Sequence, residues 1–301
     1  MNYGRTSLRR RAKQLDARGT RIRHKIGVIL GKLLLIGIIV GGCATVSFGV
    51  GALKGILASA PDISEVDVIP TGYSTKVLAA DGSETAKLVA AGSNRQYVTI
   101  DQIPENLQHA VVAIEDERFY DHNGIDLKGI VRALVADVRT RDFSQGASTL
   151  TQQLIKNNVL SEQWANENDS NISKIEKMER QVQRKIQEQY LAIELEKKVN
   201  DKNWILENYL NSINLGSNTL GVQAAAQRYF GKDVSKLTLS ECAVIAGITK
   251  NPAGYNPILH PKENAKRRKN VLDAMKKQGY ISQKQYDNCL LYTSPSPRDC
   301  S

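Results

Sequence analysis

The sequence has few cysteines, and they are too far apart to form one site. Four occur among the 301 residues, at positions 43, 242, 289 and 300. Spacings this wide fit neither a zinc-ligand motif nor the disulfide framework of a small secreted domain. No internal repeat is evident in the sequence either. A chain of this length can bury a full hydrophobic core, so we expect one or two ordinary folded domains.

Acidic residues are almost missing from the first 25 positions, where Asp16 stands against nine lysines and arginines. This segment carries +8 of the formal net charge of +10, which leaves the rest of the chain nearly neutral. A nearly neutral body without a known nucleic-acid motif argues against nucleic-acid binding. The excess charge belongs instead to the segment before an apolar run.

The sequence contains one long apolar run, residues 33–53, with no charge in 21 positions. A helix of about 20 apolar residues crosses the hydrocarbon core of a membrane. We therefore predict a cytoplasmic basic tail over residues 1–32, a transmembrane helix over 33–53 and an extracytoplasmic remainder, because positive flanks stay inside. A cleaved signal peptide and a lipoprotein site at Cys43 are the alternatives. The length of the run favours an uncleaved anchor.

Beyond the anchor, the residue pattern predicts a mainly α chain. Residues 61–100 are expected to form a short β-rich stalk, because Asp81-Gly82 is a hairpin-turn signal between β-branched segments and residues 96–100 suit a third strand. Over residues 101–287 the apolar positions recur at helical spacing, and a parallel-sheet nucleotide fold has no support. Residues 161–174 are polar and predict a mobile loop. Residues 291–301 differ in character and are interpreted as a non-native tail or the truncated start of a further domain.

Three polar clusters carry candidate chemistry. In EDERFYDHNGID, residues 115–126, Glu115 borders a buried helix stripe and suits proton transfer, although its spacing alone favours a solvated acidic helix end. In GASTLTQQLIKN, residues 146–157, a helix start offers donors to an anion, or is simply capped. Arg180, Arg184 and Glu188 share one helix face, which indicates either surface ion pairs or a diphosphate-binding strip.

In combination, the segments of this chain resemble a known family. EDERFYDHNGID, GASTLTQQLIKN, RKIQEQYLAIELE, WILENYLNSINLG with GVQAAAQRYFGK, and LSECAVIAGITKNPAGYNP are similar, in this order, to the five motifs of glycosyltransferase family 51. That family is the peptidoglycan glycosyltransferase domain of class A penicillin-binding proteins and of monofunctional transglycosylases. The resemblance covers about residues 97–287. It implies a lysozyme-like helical fold for a glycosyltransferase domain placed at 101–287.

The resemblance also implies a reaction, in which lipid II is polymerised into β-1,4-linked glycan strands by inverting displacement of polyprenyl diphosphate. Glu115 is then expected to be the general base and Glu188 the second catalytic carboxylate. The residues expected to bind the substrate are Ser148, Thr149, Gln152, Gln153, Lys156, Arg180, Arg184 and Lys185, with Asp116 and His122 of the first motif. The alignment of Arg180 rests on its four-residue offset from Arg184. No cofactor is expected to be required, and the sequence does not identify a metal ligand. Because Mg²⁺ or Mn²⁺ assists some members of the family, either ion is a possible cofactor.

The expected partners are lipid II, the growing glycan strand, the membrane and the cell-wall synthesis machinery, with no nucleic acid. A lysozyme-like lytic muramidase is the closest alternative function, since it also places a carboxylate beside a sugar bond. An inactive membrane-anchored cell-wall scaffold is another. The row of cations on one helix and the membrane anchor favour a lipid-diphosphate donor over a soluble glycan. The transpeptidase strings Ser-x-x-Lys and Lys-Thr-Gly do not occur in the 301 residues.

Overall fold

The computed structural model describes residues 4–15, 18–63, 68–70, 72–73, 75–88, 94–140, 148–161, 163–164 and 172–291. Two compact units are present, Met1–Ser59 and Ala60–Ser301. Most of the predicted loop at 161–174 lies outside the described residues, as does the predicted tail after Leu291.

The first unit consists of two helices, α1 at Arg5–Leu15 and α2 at Arg18–Ala58. The predicted span at 33–53 lies inside α2, and its segment Ile22–Ala58 is long and apolar enough to cross a membrane. None of that apolar stretch is buried against other parts of the chain. Exposing so many apolar side chains to water costs about 25 cal/mol for each Å². The helix is therefore consistent with a single-pass membrane anchor.

The second unit starts with a short hairpin. Strand β1, Thr75–Leu78, pairs antiparallel with strand β2, Glu84–Leu88, and the register shifts between Val77 and Leu78. The Asp81 carboxylate accepts a hydrogen bond from the Ser83 amide at 2.9 Å, and Gly82 has a φ of 82°. A positive φ favours glycine, which is why this dipeptide makes the turn. The hairpin expected at Asp81-Gly82 is therefore present.

The expectation of a β-rich stalk over residues 61–100 is wrong. Outside the hairpin, the described residues of this range contain one isolated bridge, between Tyr73 and Arg95. In place of a third strand, the side chain of Asn211 binds both the amide and the carbonyl of Val98, at 3.0 and 2.8 Å. Val68 and Val98 are buried in the core of the helical domain. The backbone of Val98 is therefore held by a helix side chain of the domain and not by a neighbouring strand.

Helices make up the rest of the second unit. They are α3 at Glu105–Glu115, α4 at Leu127–Thr140, α5 at Leu150–Asn158, α6 at Lys174–Val199, α7 at Lys202–Ser212, α8 at Val222–Phe230, α9 at Leu239–Ile248, α10 at Pro261–Lys277 and α11 at Gln283–Leu291. The described residues thus contain eleven α-helices, two short 3-10 helices at Ile100–Gln102 and Val234–Lys236, and one hairpin. The prediction of a mainly α chain is confirmed.

Helix α9 is at the centre of the domain. Every residue from Ser240 to Ile248 is buried, because a helix that is apolar all round has to be covered on every side. Helices α3 and α10 pack against it, while α5 packs against α6 and α7. The C-terminal ends of α3 and α9 lie beside α5 and the middle of α6, and the candidate site is located there.

Candidate active site

A cleft of about 720 Å³ is present where these helices meet. Its lining includes seven of the twelve residues expected to form the site: Glu115, Ser148, Gln153, Lys156, Arg184, Lys185 and Glu188. The other described residues that line it are Ile114, Thr249, Lys250 and Arg267. Among the described lining residues, five cationic side chains face two carboxylates, so this part of the cleft attracts an anionic ligand.

Glu115 is the last residue of α3, and its side chain is 15% exposed. Thr249 donates a hydrogen bond to Glu115 Oε1 at 2.6 Å, and Gln153 donates to Oε2 at 3.3 Å. The guanidinium Nη2 of Arg267 lies 3.7 Å from Oε1. The carboxylate is therefore held from three other elements, and it is not a solvated helix end.

A buried tyrosine lies behind this carboxylate. Tyr209 donates its hydroxyl to Gln153 Oε1 at 3.1 Å, which leaves the amide nitrogen of Gln153 to face Glu115. Burial, and then the negative charges of Glu115 and Asp116, raise the pKa of Tyr209 well above its ordinary value. The phenol consequently stays protonated and remains a donor, so Tyr209 orients the amide that contacts Glu115.

The second carboxylate, Glu188, is 2% exposed and is enclosed by cations from its own helix. Arg184 donates to Oε1, and Lys185 Nζ lies 2.9 Å from Oε2. Lys185 Nζ also lies 2.6 Å from Ser148 Oγ and 3.4 Å from Gln152 Oε1. A buried carboxylate needs such partners, since an unpaired one carries a large desolvation cost. Glu188 thus holds two cations toward the cleft.

Three of the expected site residues, Asp116, His122 and Thr149, do not line the cleft. They connect the first polar cluster to the second. Asp116 accepts a hydrogen bond from the Leu150 amide at 2.9 Å and lies 3.0 Å from Nε2 of His122. Thr149 is the N-cap of α5 and donates its hydroxyl to the carbonyl of Gly124 at 2.6 Å. A carboxylate at a helix N-terminus satisfies free amides and is favoured by the helix dipole. These three residues position α5, which carries Gln153 and Lys156.

Two other expected ligands also lie off the cleft. Arg180 is one turn from Arg184, but it pairs with Glu176 at 2.9 Å and its side chain is 37% exposed. It does not line the cleft. Gln152 is buried and reaches the site only through its contact with Lys185.

Sequence reasoning did not select Thr249, Lys250 and Arg267 as site residues. Thr249 and Lys250 directly follow α9, within the fifth segment, so a Thr-Lys pair after a mostly apolar helix was the available signal. Arg267 belongs to a run of basic residues on α10, where nothing in the sequence separates it from solvated neighbours. Only the packing of α10 on α3 and α9 brings it to Glu115.

The donor set does not suit a divalent cation. Among the described residues, no group of three or more His, Cys, Asp or Glu side chains is arranged to hold a metal ion. Both oxygens of Glu188 are already bonded to Arg184 and Lys185. The described side chains of this cleft therefore do not form a site for Mg²⁺ or Mn²⁺ on their own.

Comparison with known proteins gives a consistent result. The family described as Transglycosylase matches residues 81–276. The chain is similar to penicillin-binding protein 1A of Clostridium novyi (strain NT), with 39% identity over 250 residues that cover 80% of this chain and 28% of that protein. It is also similar to penicillin-binding protein 1A/1B of Bacillus subtilis (strain 168), with 39% identity over 256 residues that cover 85% of this chain and 25% of that protein.

A third relative is penicillin-binding protein 1A of Aquifex aeolicus (strain VF5), with 45% identity over 196 residues that cover 65% of this chain and 25% of that protein. Among solved structures, penicillin-binding protein 1A from Haemophilus influenzae aligns with a TM-score of 0.41 and 25% identity, over 75% of this chain and 21% of that one. The chain spans 25% to 28% of the length of the three relatives named by sequence.

Proposed function

Because the chain belongs to the transglycosylase family, we propose that its cleft joins lipid-linked disaccharides into glycan strands, with Glu115 as the general base. The family membership confirms the resemblance to glycosyltransferase family 51, and residues 81–276 are a peptidoglycan glycosyltransferase domain. One observation carries the finer proposal: Glu115 faces the same cleft as Lys156, Arg184 and Lys185.

In the proposed reaction, the Glu115 carboxylate accepts the proton of the 4-hydroxyl of an acceptor N-acetylglucosamine. The hydroxyl oxygen forms a bond to the anomeric carbon of the donor as the bond from that carbon to the diphosphate oxygen breaks. Attack from the opposite face converts the α linkage into a β-1,4 linkage. A base must lie within hydrogen-bond reach of the proton that it accepts, and Thr249 and Gln153 hold Glu115 toward the cleft.

The negative charge that develops on the leaving diphosphate is met by Lys156, Arg184 and Lys185. Such preorganised charges stabilise a transition state because they need no rearrangement when the bond breaks. Glu188 contributes by fixing Arg184 and Lys185, and Ser148 and Gln152 support Lys185. Arg180 belongs to this set in our proposal, and it has to leave Glu176 to reach the cleft.

We further propose that residues 1–32 are cytoplasmic, that 33–53 span the membrane and that the glycosyltransferase domain at 101–287 lies outside. The substrate, lipid II, and the growing strand are then anchored in the same membrane as the enzyme, and cell-wall synthesis proteins are its partners. The domain is proposed to have a lysozyme-like fold, which an experimental structure tests. No metal is proposed as a required cofactor, so polymerisation should persist in EDTA.

The test is incubation of the detergent-solubilised full chain with fluorescently labelled lipid II, followed by gel separation of the products. Long glycan polymers are expected from the wild-type chain. Glu115→Gln should abolish them while the thermal unfolding temperature stays unchanged. Glu117→Gln is the matched control, since Glu117 is two residues away, pairs with Arg132 and does not line the cleft.

Two rival functions have their own readouts in this assay. A lytic muramidase releases fragments from prelabelled glycan strands and makes no polymer, and that result would overturn the proposal. An inactive scaffold yields no product from either substrate. If Glu115→Gln forms polymer at the wild-type rate, Glu115 is not the general base, although the proposed polymerisation activity still stands.

A further inference from the structure

The side chain of Gln153 lies between the proposed base and a buried phenol. Its amide nitrogen donates to Glu115 Oε2 at 3.3 Å, and its amide oxygen accepts from the hydroxyl of Tyr209 at 3.1 Å. The backbone of Gln153 is fixed within α5, where its N–H donates to the carbonyl of Thr149 at 3.0 Å. The freedom that remains is a half-turn of the side-chain amide, which would exchange its nitrogen and its oxygen.

The two orientations of this amide suit different charge states of Glu115. With the nitrogen toward Glu115, the amide donates to the carboxylate, and a donor favours the ionised form. With the oxygen toward Glu115, the amide can only accept, so it favours the protonated acid, which has a proton to donate. The orientation of Gln153 and the protonation of Glu115 are therefore coupled.

Tyr209 is placed to select between these orientations. It is fully buried on α7, and among the described residues the proton of its hydroxyl has one acceptor, the amide oxygen of Gln153. Burial, and then the charges of Glu115 and Asp116, raise the pKa of Tyr209 well above its ordinary value, so the hydroxyl keeps this proton. If the amide turned, a buried donor would lose its acceptor, and an unpaired buried donor is destabilising.

Resting on the proposed function, we propose that Tyr209 is a positioning residue that holds Gln153 as a donor and so keeps Glu115 ionised before proton transfer. Tyr209 does not line the cleft, so it acts through Gln153 and not by touching the substrate. The same orientation disfavours the protonated form of Glu115 after the transfer. The base therefore releases the proton it has accepted and is ready for the next cycle.

Other charged groups also face Glu115. Arg267 of α10 lies 3.7 Å from Oε1, and Asp116, with its partner His122, follows in the chain. The cleft also contains Lys156 of α5, Arg184, Lys185 and Glu188 of α6, and Lys250 after α9. All of these groups stay in place when Tyr209 loses only its hydroxyl. A change in Tyr209→Phe consequently reports the hydrogen bond to Gln153 and not a change in the surrounding charge.

The experiment follows the protonation of Glu115 in the detergent-solubilised full chain by infrared difference spectroscopy during a pH titration. The band of a protonated carboxyl that is missing in Glu115→Gln belongs to Glu115. In Tyr209→Phe, the midpoint of this band is expected to move to higher pH by about one unit, the effect of losing the charge-assisted hydrogen bond from Gln153. The acid limb of the kcat/KM profile for labelled lipid II should move by the same amount, while KM at high pH stays unchanged.

Two further variants separate positioning from a merely structural role. Tyr229→Phe is the matched control, since it removes another buried hydroxyl, which donates to the carbonyl of Leu215 at 2.6 Å and does not line the cleft. It should lower the thermal unfolding temperature without moving the midpoint. Gln153→Met should raise the midpoint by itself, because it removes the same donor. In that background, Tyr209→Phe should cause no further shift, because the amide through which Tyr209 acts is gone.

An unmoved midpoint in Tyr209→Phe would overturn the proposal, as would a Tyr209→Phe shift of the same size in the Gln153→Met background. The infrared titration needs no turnover, so its outcome is separate from that of the proposed function. A chain that shows the expected shifts but makes no polymer refutes only the proposed function. A chain that polymerises lipid II and whose midpoint does not respond to Tyr209→Phe refutes only the role of Tyr209.

Discussion

The hydroxyl of Thr249 lies 2.6 Å from Glu115 Oε1, although 134 residues separate the two in the chain. The same hydroxyl lies 2.8 Å from the carbonyl of Ala246, one turn back in its own helix. A threonine hydroxyl has one proton to donate and can also accept a hydrogen bond. Before proton transfer, the hydroxyl can therefore donate its hydrogen bond to the Glu115 carboxylate. After proton transfer, it can donate to the carbonyl of Ala246 instead and accept a hydrogen bond from the protonated Glu115. Thr249 fits both protonation states of the proposed base.

This relationship predicts that Thr249→Val lowers the turnover number with little change in KM. Valine keeps the shape but loses the hydroxyl, and a hydrogen bond to a charged group contributes about 1.5–3 kcal/mol, or a factor of about 10 to 100 in rate. The measurement is steady-state polymerisation of labelled lipid II. Thr249→Ser should keep most of the activity, and a Thr249→Val chain with the wild-type turnover number would contradict the role.

The two arginines of α6 should differ in importance. Arg184 lines the cleft and pairs with buried Glu188, whereas Arg180 pairs with Glu176 near the surface. Arg184→Gln is expected to lower kcat/KM at least about ten-fold more than Arg180→Gln, because it removes a preorganised charge from the cleft. Both variants are compared in the same lipid II assay. Equal losses would contradict this smaller contribution of Arg180, which has to leave Glu176 before it reaches the diphosphate.

Gly124→Ala should destabilise the domain. Gly124 has a φ of 88°, and a Cβ at this position would lie 2.6 Å from the backbone of Ala192 in α6. A left-handed backbone costs a residue with a side chain about 1–3 kcal/mol, and the overlap adds to that cost. Gly82→Ala is the matched control, since Gly82 has a φ of 82° and open space around it. Thermal unfolding should show a clearly larger loss for Gly124→Ala; equal losses would contradict the tight contact.

His109 should make the folded state less stable in mild acid. It stacks on Tyr280, and its burial lowers its pKa below 6.5, an effect that Glu105 partly opposes. The folded state thus prefers the neutral ring, so the unfolded chain takes up the proton first. Stability is complete above about pH 6.5 and falls as the pH decreases from there to the lowered pKa, below which both states are protonated and the loss is complete. Thermal unfolding of His109→Gln between pH 5 and 8 should show a weaker pH dependence than the wild-type chain; an equal slope would exclude His109 as the cause.

Local patterns were sufficient to predict the helices. Apolar residues that recur at helical spacing predicted a helical domain over residues 101–287, and the segment at 146–157 predicted a capped helix start, where Thr149 is the N-cap of α5. These are interactions within a few residues of the chain, so the sequence contains both partners next to each other. The failure at residues 96–100 has the opposite cause. There the backbone partner is Asn211, more than a hundred residues away.

The sequence by itself determined the helical class, the apolar anchor segment and the identity of the motifs, because periodicity and motif wording are properties of neighbouring residues. Only the tertiary structure decided which residues share the cleft. In the folded chain, Asp116 and His122 support the start of α5 and do not line the cleft. Arg180 pairs with Glu176. Thr249 and Arg267 lie close to Glu115. These outcomes depend on how α3, α9 and α10 pack, and packing is set by the shapes of side chains that are distant in the chain.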